Sequence, residues 1–216
     1  MPLRVVLLGP PASGKGTQGR RLAEAAGVAY LSTGALLREA VEELTPLGLQ
    51  AKPILDRGGY LPDDLMCGIL GEWLARHPDG WVLDGFPRSV PQAEFLERWL
   101  GDHDQALDRV IALDVPMEEL LHRIQARVEC PECRWSGQAT QASGDRCPVC
   151  GSTVSRREDD DEENFRSRHA AYSRYTLPLV DFYDQRGLLS HQNATASADE
   201  VAGVIHRLFF PSAVSG

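Results

Sequence analysis

The apolar run Val5-Val6-Leu7-Leu8 passes directly into Gly9-Pro10-Pro11-Ala12-Ser13-Gly14-Lys15-Gly16-Thr17, and nothing else in the chain narrows the fold as far. Four apolar residues with two valines read as a buried strand. The residues after Gly14 read as the start of a helix, so the glycine-bounded stretch between them is a strand-to-helix loop. Gly9 and Gly14 let the backbone turn its N–H groups inward around a polyanion. The helix start adds free N–H donors and the positive end of its dipole. Lys15 brings a flexible full charge to β- and γ-phosphates. A surface turn with an incidental lysine would not need a strand before it and a helix after it. The segment therefore predicts a site for a nucleoside triphosphate.

The rest of the chain keeps the rhythm that this start implies. Short apolar strands are expected at Leu3–Leu8, Val28–Leu31, Trp81–Leu83, Arg109–Leu113 and Leu188–His191, each followed by helical sequence. Such alternation predicts an α/β fold with a central parallel five-stranded sheet between two helical layers, and ligands at the carboxyl ends of the strands. Helices are expected over Pro116–Val128 and from about Glu158 to Tyr175, and the tail Pro211–Gly216 is expected to fray. With 216 residues, 43% hydrophobic and 25% charged, one such domain with insertions can bury a sizeable core. The net charge of −9 argues against a broad nucleic-acid or anionic-membrane face. No targeting segment and no apolar run long enough for a span is evident, so the expected location is cytoplasmic.

Residues 129–157 interrupt the alternation. They hold Cys130-Pro-Glu-Cys133 and Cys147-Pro-Val-Cys150, two Cys-x-x-Cys pairs whose spacing predicts a tetrahedral metal site, with Zn2+ the expected ion. Two disulfides or free thiols are the alternative, and they suit a cytoplasmic chain less well. Four thiolates leave no open coordination position, so the metal role expected is structural. The fifth cysteine, Cys67, lies in an apolar helical stretch and reads as an inert buried thiol. The run from Glu158 to Glu163 reads mainly as an acidic, solvated helix start.

A second chemical segment is Leu83-Asp84-Gly85-Phe86-Pro87-Arg88. An aspartate ending a core strand near a phosphate loop suits a magnesium-organising role, and Arg88 after a stiff turn suits a phosphate. Taken with Ser32-Thr33-Gly34, Arg38 and Pro91-Gln92-Ala93, these segments resemble, in order and over nearly the whole chain, the adenylate kinase family of nucleoside monophosphate kinases. The resemblance implies transfer of the terminal phosphoryl group of ATP, with Mg2+, to AMP, giving two ADP. It implies a P-loop core (residues 1–33, 63–128 and 158–216), a helical monophosphate-binding segment (34–62) and a zinc-ribbon lid (129–157).

Site residues follow by the same resemblance. Gly9, Gly14, Lys15, Gly16 and Thr17 correspond to the ATP phosphate loop, and Arg123 and Arg127, four apart on one helix face, to arginines that meet the triphosphate. Thr33, Arg38, Gly85, Arg88, Gln92, Arg157 and Arg168 correspond to the AMP site, with Gln92 reading the adenine edge. Arg157 and Arg168, eleven apart and so on one helix face, correspond to a pair that closes over the transferring group. Lys15, Arg88, Arg123, Arg157 and Arg168 are the expected catalytic set, Asp84 the magnesium-organising carboxylate, and Asp159 and Asp160 the acidic pair after the lid. The chain departs from the family at Ala12, where a glycine is usual in the loop, and at Asn193-Ala194, where Asp-Gly is usual near the ATP base. The expected partners are ATP, AMP and ADP, without nucleic acid or membrane, and the expected state is a monomer. A sister kinase for UMP, CMP or GMP, and a zinc-ribbon nucleic-acid binder, are the competing readings. Thr33 and Gln92 favour AMP over the first. The sparse basic and aromatic content of residues 134–146 disfavours the second.

Overall fold

A computed structural model describes residues 2–57, 59–157 and 160–210. Glu158, Asp159 and the tail 211–216, for which expectations are given above, lie outside the described residues. Strands β1 (Arg4–Leu8), β2 (Ala29–Ser32), β3 (Trp81–Asp84), β4 (Arg109–Asp114) and β7 (Leu189–Asn193) form one sheet in the order β2-β3-β1-β4-β7. Every neighbouring pair in it is parallel.

Side chains alternate cleanly through this sheet, as a period of two requires. Val6, Leu8, Leu83, Val110 and Ala112 face one core. It is covered by α2 (Thr33–Glu42), α3 (Pro46–Leu55), α4 (Asp63–Ala75), α5 (Val90–Asp102) and α8 (Pro178–Asp184). Val5, Leu7, Val82, Ile111 and Leu113 face the other core, under α1 (Lys15–Ala26) and α9 (Ala198–Phe209). Both faces are apolar because helices cover both, which is why the strands read as continuous apolar runs. Among the described residues, no helix is long and apolar enough to cross a membrane.

Two helix expectations are corrected. The helix expected to run to Val128 is α6 (Met117–Gln125), with Ala126 as its C-cap. Arg127 instead opens a strand, β5 (Arg127–Glu129), which pairs antiparallel with β6 (Ser136–Gln138). Cross-strand pairing in the insert overrides local helix preference, so Arg123 and Arg127 do not share a helix face. The helix expected from Glu158 is α7 (Glu162–Ala171), because Asp161 caps it by accepting from the Asn164 N–H. Arg157 lies before that cap and shares no helix face with Arg168. A π-helical turn, Tyr172–Thr176, joins α7 to α8. Pro178 at the start of α8 has no N–H to give to the preceding turn, which fits a ladder that loosens there.

The insert has little core of its own: Cys130, Cys147 and Val154 are buried, with Val128, Cys133, Trp135 and Ala142 packed around them. Glu129 and Ser155 exchange both backbone hydrogen bonds, of 2.8 and 3.0 Å, and so tie the two ends of the insert together.

Candidate active site

The loop after β1 reaches its shape through three left-handed residues. Gly9 has φ 152°, Gly14 φ 96° and Ala12 φ 65°, so the position where a glycine is usual does take a glycine-like conformation. A side chain at Gly9 would bring its Cβ within 2.6 Å of Ser13 Oγ. Gly14 is the N-cap of α1 and no side chain caps this helix. The first-turn N–H groups are thereby left for an anion. Lys15 Nζ donates back to the carbonyls of Gly9 (2.7 Å) and Pro10 (2.9 Å). Burial above all lowers its pKa to about 8; Asp84 opposes that shift, and Arg88, Arg168 and Arg127 add to it.

These residues line a cleft of about 1200 Å³ at the carboxyl ends of the strands. Gly9, Gly14, Lys15, Gly16 and Thr17 form its floor, and Arg38, Arg88, Arg123, Arg127, Arg157 and Arg168 line its walls. Thr33 and Gln92 stand in a small side cavity that also touches Gly85 and Arg88. The segments come from distant parts of the chain and meet because the sheet order sets β1 beside both β3 and β4.

Asp84 ends β3, opposite Leu7 in β1 and Ser32 in β2. Its Oδ2 accepts from the Tyr30 hydroxyl at 3.0 Å. Burial, and then this carboxylate, raise the Tyr30 pKa, so the phenol stays a donor. Asp84 is a hard oxygen donor beside the phosphate loop, which fits a magnesium ion. Gly85 follows with φ 85°. A Cβ there would lie 2.5 Å from Thr33 Oγ1 and 2.9 Å from an Arg88 guanidinium nitrogen. The Thr33 hydroxyl donates to the Gly85 carbonyl (2.9 Å).

Arg88 is aimed by four contacts. Its Nε donates to the Gly85 carbonyl (2.7 Å), and its backbone N–H donates to Gln92 Oε1 (2.8 Å). Its carbonyl accepts from Thr176 Oγ1 (3.0 Å), and its guanidinium lies 4.6 Å from the Tyr60 ring centroid. Gln92 Nε2 donates to Asp63 (2.6 Å), which leaves one N–H and one oxygen lone pair of its amide for a ligand.

The arginines on the other wall of the cleft are held differently. Arg123 donates to Glu119 one turn earlier (2.7 Å) and to the carbonyl of Ala194 (2.7 Å), which itself lines the cleft. Asp160, fully buried, gathers three arginines. Arg127 donates to both of its oxygens. Arg168 lies 3.6 Å and Arg157 4.0 Å from Oδ1. Arg157 and Arg168 therefore meet at one carboxylate rather than along a helix. Thr17 Oγ1 points to the Ser136 carbonyl of the insert (3.4 Å).

Cys130, Cys133, Cys147 and Cys150 place their sulfurs within 4.8 Å of one another, with 3.4 Å between Cys130 and Cys150 and 3.5 Å between Cys133 and Cys147. A tetrahedral zinc with Zn–S near 2.3 Å sets S···S edges of roughly 3.8 Å, so the donor set fits that ion. Cys67 stands apart and is half-buried rather than buried, and that partial burial still pushes its thiol up to about 11.

Four residues of the site were not legible in the sequence: Tyr30, Tyr60, Glu129 and Thr176. Only Tyr60 carried a local signal, in the Gly59-Tyr60-Leu61-Pro62 stretch that leads into α4. The others act through pairings between remote segments.

The family model for adenylate kinase matches residues 7–188 of this chain. The adenylate kinase of Thermodesulfovibrio yellowstonii is 41% identical over 208 residues, covering 92% of this chain and 95% of the relative. That of Erythrobacter litoralis is 41% identical over 212 residues (95% and 99%), and that of Clostridium novyi 40% over 206 (92% and 94%).

Proposed function

This chain belongs to the adenylate kinase family, and we infer that it is an ATP:AMP phosphotransferase that moves the terminal phosphoryl group of ATP to AMP and gives two ADP. The observation that carries the reading is one cleft in which Lys15 and nine arginines, Arg38, Arg88, Arg123, Arg127, Arg157 and Arg168 among them, surround an uncapped helix start beside a strand-end aspartate. Phosphoryl transfer needs positioning and charge neutralisation more than covalent chemistry, and this inventory supplies both without a nucleophile of the protein's own.

The division of labour we propose follows the walls of the cleft. The first turn of α1 and Lys15 hold the β- and γ-phosphates, with Lys15 leaving the Gly9 and Pro10 carbonyls to do so. Arg123 and Arg127 flank the donor, and Arg38 and Arg88 grip the acceptor phosphate. Gln92 offers the remaining half of its amide to the adenine edge. Arg157 and Arg168 face the charge that spreads over the equatorial oxygens during transfer. Asp84, with its carboxylate steered by Tyr30, would hold magnesium and its waters, and the ion supplies further neutralisation of the phosphates. Residues 34–62 and 129–157 act as the acceptor-binding segment and the lid, which together exclude water that would otherwise take the phosphoryl group. The four cysteines would hold zinc as a structural ion.

An acceptor panel tests the reading. Mg-ATP is supplied with AMP, UMP, CMP or GMP and diphosphate formation is measured. Rapid turnover with AMP alone is expected. Turnover confined to another acceptor, or absent with all four, overturns it.

A further inference from the structure

Glu129 is a carboxylate set among the arginines assigned to phosphate. It is the last residue of β5, and both of its backbone groups are bonded to Ser155, so the lid frame fixes where its side chain projects. Oε1 lies 3.3 Å from an Arg38 guanidinium nitrogen, and Oε2 lies 3.3 Å from Arg157 Nε. Arg38 comes from α2 in the acceptor segment, whereas Arg157 stands at the far end of the insert. One acidic group, 8% exposed, thus spans two guanidinium groups from opposite walls of the cleft. An acceptor phosphate held by Arg38 would need the same space and the same charge.

The grip is a poor one. Among the described residues, Oε2 is buried and makes no hydrogen bond of proper geometry, and a buried acceptor left in that state is costly. A phosphate dianion offers more oxygens and more charge to the same pair of forks.

We propose that Glu129 is an internal stand-in for the acceptor phosphate, occupying Arg38 and Arg157 until AMP displaces it, and so sets how tightly AMP binds. The proposal rests on the assignment of Arg38 and Arg157 to phosphate. It makes Glu129 a specificity-setting residue that competes with substrate and never touches the reacting atoms. A neighbouring bridge serves as its control: one turn along α2, Glu42 takes a bidentate ion pair from Arg134 of the lid (2.6 and 3.2 Å). That pair also joins lid to acceptor segment but occupies no arginine assigned to phosphate.

AMP is titrated calorimetrically into the zinc-loaded wild-type chain and into Glu129→Gln, Glu129→Val and Glu42→Gln, each checked for metal content and circular dichroism. The valine variant suits a strand and covers failure of the glutamine variant to fold. Losing one partly buried opposing charge is expected to tighten AMP binding about fivefold in both Glu129 variants. KM for AMP should fall in parallel and kcat should not rise. Glu42→Gln should bind AMP as the wild type does. Unchanged or weaker AMP binding in the Glu129 variants overturns the proposal, as does equal tightening in Glu42→Gln, which would assign the effect to lid opening. A wild-type chain that binds AMP but fails to phosphorylate it with Mg-ATP sinks the phosphotransferase reading and leaves this binding comparison intact.

Discussion

Lys15 shows how the site holds charge before substrate arrives. Its folded pKa of about 8 lies below the ordinary 10.5, so the sign of its linkage is that of a penalised cation. Below pH 8 both folded and unfolded states carry the proton and the full cost of burying the charge is present. Between pH 8 and 10.5 the folded lysine deprotonates first, and that cost fades as pH rises. Bound polyphosphate favours the charged form, so ATP binding should draw a proton onto the protein, and much more of one at pH 9 than at pH 7. Calorimetry in buffers of different ionisation enthalpy measures this, with Lys15→Arg as the variant that takes up none. Equal uptake in both proteins at pH 9 would falsify the assignment. Gly85 makes a second residue-scale case. Its φ of 85° costs an L-residue about 1–2 kcal/mol, and an added Cβ would press on Thr33 and Arg88. Gly85→Ala should lose about 2–4 kcal/mol in denaturant unfolding and raise KM for AMP, because the displaced guanidinium is the one proposed to grip the acceptor. A stability change under about 0.5 kcal/mol would show the turn to be tolerant after all.

At the scale of elements the lid is the informative one. Its three buried apolar side chains include two cysteines, so apolar burial contributes only a few kcal/mol, against roughly 10–16 kcal/mol for a structural zinc. The metal term decides. Stripping the ion with a chelator should therefore unfold residues 129–157 while the sheet keeps its cooperative transition. Trp135 reports on this, since its ring covers Gly137 at a distance where a Cβ would clash (2.4 Å); Trp135→Phe removes the signal of the other tryptophans by difference. Unchanged Trp135 emission in metal-free protein would count against a metal-built lid. The helices were less legible than the lid. Nothing local ends α6 at Gln125, whereas a local cap delays α7 to Glu162. The first stops because Val128 and Glu129 find partners in Gly137 and Ser136, the second because Asp161 turns its carboxylate onto the Asn164 N–H. The spacing argument for Arg127 failed on that cross-strand pairing and the one for Arg157 on that cap, although both arginines reach the cleft.

For the whole molecule, the sheet could be read from sequence because burial on both faces makes each strand a plain apolar run, as in Trp81-Val82-Leu83 and Val110-Ile111-Ala112. The phosphate loop was legible because its conformation demands particular residues. The pairings of Glu129 with Arg38, Tyr30 with Asp84 and Tyr60 with Arg88 were not, since each joins segments that only the strand order brings together. One experiment addresses the assembly: replacing residues 129–155 by a short glycine linker. The sheet and its two cores should fold, because none of the lid's buried residues belongs to either core. Transfer to AMP should fall by more than about 100-fold as water and misplacement enter the site. Loss of the core transition in calorimetry would refute this independence. The bonded ends of the lid, Glu129 facing Ser155, carry that independence into lineage. A segment whose two ends sit about 5.5 Å apart can be exchanged for any other with the same footing, so any dependence on the metal its four cysteines would hold belongs to a replaceable cartridge. Descendants of one such enzyme could gain or shed that mineral requirement in a single recombination event, leaving the chassis untouched.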